Sequence, residues 1–330
     1  MADKKAHPKA APLEFEAPLN LLSQQIEALE KRVAANPSPE LEQDIAKLYD
    51  QYTQLRRSLY TNLRPIDRLA LARHPQRPYT RDYFERFDPD WIELHGDRQG
   101  SDDPAMVGGI VQLEEINVIA VGTQKGRNIR DKQRCNFGMP QPEGYRKALR
   151  LFYHAEKFGL PIVTLIDTPG AYPGMAAEEH NQAQAIALNL RELAGLTVPV
   201  VTVVTGEGGS GGALAIGVSN RILMLEHSVY SVISPEGCAS ILWRSADKVS
   251  EACQAMKMTA KEIYELKVCD QVIEEPLGGA HNDVDLTAHR IKGALLHHLR
   301  ELMKLSPLKI REDRENKFRH IGSVVEGARK

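Results

Sequence analysis

The sequence predicts an α/β layer fold with a helical hairpin at its N-terminal end. Three observations carry this prediction. Strand-like and helix-like stretches alternate from about residue 65 onward, two apolar stripes at helical spacing precede them, and two strand-like runs end in glycine-rich turns followed by helical sequence.

Taken in chain order, residues 1–18 are Lys-, Ala- and Pro-rich at their start, lack an apolar stretch, and read as a disordered leader rather than a secretory signal. Leu22, Ile26, Leu29 and Val33 then step by helical intervals, as do Leu41, Ile45, Leu48, Tyr52, Leu55 and Leu59. Between them, Ser38 is placed to cap a helix and Pro39 to occupy its first position. Residues 19–64 therefore form a helical hairpin, packing on their own core or docking a partner subunit. Strands are expected over 107–113, 117–122, 162–167, 200–205, 221–225 and 229–233. Helices are expected over 144–158, 176–194, 239–268 with a break at Thr259, and 283–304. Residues 65–305 make one domain, and residues 306–330 a charged tail lying on it as a helix or arm.

Composition narrows the class. Of 330 residues, 42% are hydrophobic and 26% charged, with 44 acidic against 42 basic side chains. A net charge of −2 argues against bulk nucleic-acid binding. The most apolar stretch, around residues 198–204, falls far short of the roughly 20 residues that span a bilayer. Four cysteines at 135, 238, 253 and 269 form no Cys-x-x-Cys pair, which argues against a zinc ribbon or disulfide framework and for a reducing, cytosol-like compartment.

The chemistry concentrates where the 200–205 strand enters Gly206-Glu207-Gly208-Gly209-Ser210-Gly211-Gly212-Ala213. Free N–H groups at a helix start attract anions, and glycine lets a ligand approach the backbone. Gly206-x-Gly208-x-x-Gly211, with Glu226 downstream, imitates a dinucleotide fingerprint, but only Ala213 to Asn220 separate it from the next strand, too few for a βαβ crossover. Gly208-x-Ser210-x-Gly212 imitates a nucleophile elbow, with His227, His281, Asp247 and Asp270 as downstream partners, so a serine hydrolase stays open. A P-loop fails for want of Gly-Lys-Ser/Thr. A second strand ends in Asp167-Thr168-Pro169-Gly170-Ala171-Tyr172-Pro173-Gly174. Two such turns facing one point would make an oxyanion hole from backbone donors alone.

These turns belong to a longer series. Arg73-His74-Pro75-Gln76-Arg77-Pro78, Glu93-Leu94-His95-Gly96-Asp97-Arg98, Asn136-Phe137-Gly138-Met139-Pro140, Pro142-Glu143-Gly144-Tyr145-Arg146-Lys147-Ala148, both glycine turns and Ser234-Pro235-Glu236-Gly237-Cys238-Ala239 occur in order. Together, over about residues 20–305, they resemble the α-subunit family of bacterial and plastid-type acetyl-CoA carboxylase carboxyltransferase. One departure is His180, where relatives carry Arg; it touches only local contacts.

The resemblance implies a crotonase-like (ClpP/crotonase) fold and carboxyl transfer from carboxybiotin, borne on a separate biotin carboxyl carrier protein, to acetyl-CoA, giving malonyl-CoA in the first committed step of fatty-acid synthesis. Gly211, Gly212 and Ala213 would hold the biotin carbonyl through backbone N–H, with Gly170, Ala171, Gly208 and Gly209 around the biotin. It implies no metal and no covalently bound biotin on this chain. It also implies a zinc-ribbon β subunit supplying the other oxyanion hole and much of the coenzyme A site, a biotin carboxylase, an α2β2 assembly, and a cytoplasmic or plastid-stromal location. The cationic run Lys125, Arg127, Arg130, Lys132 and Arg134 is a solvated face or a contact for coenzyme A phosphates or a partner. Ala255-Met256-Lys257-Met258 copies the tetrapeptide of a biotinylated lysine, but it lies in helical sequence, with Thr259 and Glu262 forming a capping box, and reads as accidental. A stand-alone thioester hydrolase or hydratase would have to use Glu207 or Glu178; a non-enzymatic scaffold would use the hairpin and tail.

Overall fold

A computed structural model describes residues 13–322. The chain begins with a helical turn at Glu14–Glu16, then α1 (Ala17–Ala35) and α2 (Pro39–Thr61). The two apolar stripes face each other half-buried, and the hairpin base is anchored by Leu19, Tyr60 and Leu71, with Leu13 and Phe15 packed against them. Phe15 meets Tyr60 edge-on at 5.5 Å between ring centroids, and the Tyr60 hydroxyl bonds the Glu16 carboxylate. Residues 13–18, expected in the leader, are thus part of the folded hairpin; residues 1–12 of that leader lie outside the described residues.

The remaining elements are α3 (Pro65–Ala72), α4 (Thr80–Phe87), β1 (Ile92–Glu93), β2 (Met106–Leu113), β3 (Ile116–Thr123), α5 (Ile129–Arg134), α6 (Pro142–Phe158) and β4 (Ile162–Thr168). They continue through α7 (Met175–Glu179), α8 (Gln182–Gly195), β5 (Val200–Gly209), α9 (Ser210–Leu214), β6 (Arg221–Leu225) and β7 (Val229–Ser231). The chain closes with α10 (Pro235–Trp243), α11 (Val249–Ala255), α12 (Ala260–Glu265), β8 (Gln271–Ile273), α13 (Val284–Leu302) and α14 (Pro307–Arg319). One eight-stranded sheet runs β1-β2-β3-β4-β5-β6-β8, with β7 pairing the far end of β5. The β1-β2 and β2-β3 pairs are antiparallel and the rest parallel.

Alternation along the strands builds two cores. Val163, Leu165, Val201 and Val203 pack with Phe84, Phe87, Ile291 and Leu295 from α4 and α13. Ile162, Ile166, Val200 and Val204 pack with Tyr145, Leu151, Phe152 and Leu193 from α6 and α8. Helices cover both faces, which is why β4 and β5 read as continuous apolar runs. On the second face Thr164 and Thr202 satisfy each other at 2.7 Å between hydroxyls.

Three elements differ from the sequence expectation. The expected helix 176–194 is two helices, α7 and α8, because Asn181 takes a left-handed conformation (φ 64°) between them. The expected helix 239–268 is three, broken at left-handed Arg244 and again before Thr259, whose capping box with Glu262 is present. Strand β5 runs on to Gly209, beyond the expected end at 205, because Thr168, Tyr230 and Ser231 pair with its glycines. The tail forms α14, fastened by buried Arg314, which donates to the carbonyls of Leu193 (2.6 Å), Leu196 (2.8 Å) and Val198 (2.7 Å); residues 323–330 lie outside the described residues. Among the described residues no helix is long and apolar enough to cross a membrane.

Candidate active site

Strands β4 and β5 are parallel neighbours, so their C-terminal turns leave the same edge of the sheet, the edge where α/β sheets bind ligands. The two turns touch backbone to backbone. A Cβ placed on Gly212 would lie 2.4 Å from the Ala171 nitrogen and 2.5 Å from the Gly170 carbonyl carbon; one on Gly209 would lie 2.2 Å from the Pro169 oxygen. Only glycine permits that approach.

Ser210, Gly211 and Gly212 open α9, so their N–H groups have no acceptor four residues back in the helix; Ala213 is the first whose N–H faces one, the carbonyl of the N-cap Gly209. The buried Tyr145 hydroxyl donates to the Gly212 carbonyl at 3.3 Å and orients that peptide. On the opposing turn the Gly170 N–H is spent on Thr168 Oγ1 (3.1 Å) and the Tyr172 N–H on the Pro140 carbonyl (3.0 Å). The Ala171 N–H has no acceptor among the described hydrogen bonds. Of the pair Gly170 and Ala171, only Ala171 therefore has an N–H without an acceptor among the described hydrogen bonds. Gly211 is half-buried, with nothing nearer its Cβ direction than Ile186 at 3.7 Å. Gly208 and Gly209 lie inside β5, where absent side chains make room for the Tyr230 ring and for Pro169.

Behind the turns lies a charge network. Lys125 Nζ is 2.7 Å from Asp167 Oδ1 and 3.4 Å from Glu207 Oε2, and the Glu207 N–H donates to the same Asp167 oxygen at 2.9 Å. Arg73 bonds the Glu207 carboxylate and reaches Glu236 at 2.6 Å. Burial opposes the charge on Arg73 and Lys125, but the carboxylates prevail and hold both cations above their usual ranges. Below the network a fully buried Arg77–Glu275 pair (3.0 and 2.5 Å) is completed by Arg77 Nε on the Thr205 carbonyl at 2.6 Å and by the His227 and Ala280 N–H groups on Glu275. Burial works against ionised Glu275, yet Arg77 and His227 draw its carboxyl down to about 2.

The hydrolase constellation does not assemble. Ser210 is exposed and left-handed (φ 53°), with no hydrogen bond to a histidine among the described residues. His227 is buried with Nδ1 2.9 Å from Arg68, His281 stacks on His74 at 3.8 Å, Asp247 sits in the turn capped by Ser245, and Asp270 binds Lys317. The dinucleotide reading fails as expected, since α9 spans only Ser210–Leu214 and Glu226 accepts the Glu275 N–H. Glu178 is exposed on α7. Of the cationic run, Lys125 is committed to Asp167 and Glu207; Arg127 bonds Asp82 and stacks 4.3 Å over Tyr79; Arg130 is exposed on α5, and Arg134 lies 3.9 Å from Asp131. Lys257 is exposed in the α11–α12 turn, and His180 Nδ1 lies 2.7 Å from Glu143. Arg73, Glu236, Thr168 and Tyr145 contact the turns or their charge network and were not singled out from the sequence; Asp167, one carboxylate ending an apolar strand, was the visible signal.

The sheet with helices on both faces and the paired strand-end turns make a crotonase-like architecture. Solved structures support the fold: the Pseudomonas malonate decarboxylase hetero-dimer (TM-score 0.58, 15% identity, 72% of this chain and 94% of that one) and transcarboxylase 12S with methylmalonyl-coenzyme A (TM-score 0.54, 23% identity). The latter match covers 66% of this chain and only 41% of the transcarboxylase chain. The family described as acetyl co-enzyme A carboxylase carboxyltransferase-like matches residues 12–322. The acetyl-coenzyme A carboxylase carboxyl transferase α subunits of Synechococcus elongatus and Thermus thermophilus are each 51% identical to it, over 96% of this chain and 96% and 99% of theirs. The chain belongs to this family of carboxyltransferase α subunits.

Proposed function

We propose that this chain is the α half of a carboxyltransferase that makes malonyl-CoA, and that its two touching turns hold the carbonyl oxygen of biotin. The observation that carries the reading is the backbone contact at Gly212 and Ala171, which sets two donor segments side by side without a side-chain charge. The residues suit biotin. A neutral ureido carbonyl needs N–H donors rather than a cation, and the open space beside Gly211 lets a flat ring reach the backbone. When bound on its separate carrier, biotin supplies the carboxyl group that passes to the methyl carbon of acetyl-CoA.

The N–H groups of Gly211, Gly212 and Ala171 stabilise negative charge on the held oxygen, with the Ala213 peptide continuing the same helix start, each free donor contributing about 10²–10³ in rate on the scale of oxyanion holes. Tyr145 fixes the Gly212 peptide, and Thr168 fixes the opposing turn by holding both the N–H and the carbonyl of Gly170. The Asp167–Lys125–Glu207–Arg73 network anchors the end of β5. Glu207 is committed to two cations and is not the proton acceptor; this reading asks for no side-chain base here.

A zinc-ribbon β subunit then supplies the second oxyanion hole and the coenzyme A site, in an α2β2 assembly served by the biotin carboxyl carrier and biotin carboxylase, in the cytoplasm. The test mixes the purified chain with and without the β subunit and follows malonyl-CoA formed from acetyl-CoA and carboxylated carrier. Turnover is expected only from the mixture. Substantial transfer by this chain alone would refute the shared site.

A further inference from the structure

Helix α6 has two faces with different tasks. Tyr145, Ala148, Phe152 and Ala155 face the core. Arg146, Arg150, Tyr153 and Lys157 follow at helical spacing on the outer face, where with α8 and the loop after β1 they line a cavity of about 780 Å³. That volume lies within the range of small-molecule sites.

The charge in this cavity is unbalanced. Its lining includes Arg98, Arg146, Arg150 and Lys157 against one carboxylate, Asp97. Asp97 is already spent: it accepts the N–H groups of Gln99 (2.8 Å), Gly100 (2.9 Å) and Ser101 (3.1 Å), and Arg146 Nε at 3.0 Å. Arg98 and Arg150 have no carboxylate among the described ion pairs. Both donate to the His95 carbonyl, at 2.8 and 3.1 Å, which sets two guanidinium groups beside each other on one neutral acceptor; Arg150 also reaches the Gly96 carbonyl at 3.0 Å. Burial, then the neighbouring Arg98, hold Arg150 below its usual range. Beside these cations stand the exposed rings of Tyr153 and Phe158, with the Lys157 ammonium 5.5 Å from the Phe158 centroid. Leu149, Ala185 and Leu188 make the apolar floor.

We propose that this cavity binds a nucleoside diphosphate group, its phosphates on Arg98 and Arg150 and its base against the aromatic side. Adjacent guanidinium groups with unused donors suit the bidentate geometry of phosphate oxygens, and a phosphate dianion relieves their mutual repulsion. A half-exposed aromatic beside cations stacks a base without demanding its sequence. The site lies on the opposite face of α6 from Tyr145, so it is separate from the turns and does not rest on the reading of them.

The experiment titrates the full-length protein with ADP, adenosine, pyrophosphate and coenzyme A by calorimetry. ADP is expected to bind more tightly than adenosine or pyrophosphate, since it alone engages both sides of the cavity. Arg98→Gln and Lys157→Gln, both at exposed side chains, are expected to weaken ADP by roughly tenfold each, the scale of one charge-assisted hydrogen bond. Arg150→Gln is expected to abolish ADP binding. Competition by coenzyme A would assign the site to the nucleotide end of that molecule; ADP binding that coenzyme A does not displace would assign it to a free nucleotide. No binding of ADP at millimolar concentration, or binding that Arg98→Gln and Lys157→Gln leave unchanged, would overturn the proposal.

Discussion

Gly212→Ala isolates the contact between the two turns. The new Cβ would sit 2.4 Å from the Ala171 nitrogen, 2.5 Å from the Gly170 carbonyl carbon and 2.9 Å from its Cα, where ordinary contact begins at 3.4 Å. All three atoms are backbone, so no flexible side chain can move aside, and the turns must separate by about 1 Å. A displacement of that size at a donor pair costs about 10²-fold in turnover. The accompanying overpacking destabilises by about 1–3 kcal/mol, which a domain of this size survives. Gly211→Ala is the companion: its methyl meets nothing nearer than Ile186 at 3.7 Å, so the turn spacing stays and the effect falls on substrate approach, in KM for the carrier. Both variants are assembled with the β subunit and assayed for malonyl-CoA formation, with a melting curve as the control for folding. Gly212→Ala that assembles and turns over within threefold of wild type would show that the donor spacing is not what accelerates the reaction.

Three further outcomes follow from the same geometry. Ser210→Ala in the α/β complex keeps most of its activity and the wild-type chain takes no label from a fluorophosphonate, because no histidine among the described residues bonds Ser210; loss of activity with labelling would restore the hydrolase reading. Arg77→Met leaves Glu275 buried without its cation and lowers unfolding free energy by about 3–5 kcal/mol in a urea titration; a change within experimental error would show that the pair contributes nothing. Burial, then His74 and Arg77, hold His281 down at about 3, so it stays neutral in the fold while the unfolded chain protonates near 6.5; burial shifts His74 in the same direction. The folded value of His281 lies below the unfolded one, so its stabilisation is present above pH 6.5 and is lost as pH falls toward 3, by up to about 1.4 kcal/mol per unit. Urea titrations between pH 7 and 4 should show that slope, and His281→Asn should reduce it; an unchanged slope in the variant would contradict the assignment.

What the sequence made legible was local. The apolar runs at 162–167 and 200–205 announced two strands buried on both faces, and both glycine turns were visible as strand ends. The end of β5 was not, because glycine has little strand preference of its own; its pairing is imposed by Thr168, Tyr230 and Ser231 from elsewhere in the chain. Asn181 and Arg244 broke expected helices because a single left-handed residue leaves the apolar period intact while turning the backbone. The spent Gly170 N–H also escaped the sequence: Thr168 takes it only in the folded turn. The charge network joins Arg73, Lys125, Asp167, Glu207 and Glu236, residues that only the tertiary fold brings together, and no spacing rule predicts such a set.

A crystal structure of the α/β complex with biotin bound tests the proposed site most directly. The ureido oxygen should lie about 2.7–3.1 Å from the backbone nitrogen of Ala171 and from at least one of Gly211, Gly212 and Ala213, the distances at which such donors act, with no side-chain cation of this chain touching it. A ureido oxygen held by a side chain, or seated away from both turns, would contradict the backbone oxyanion site.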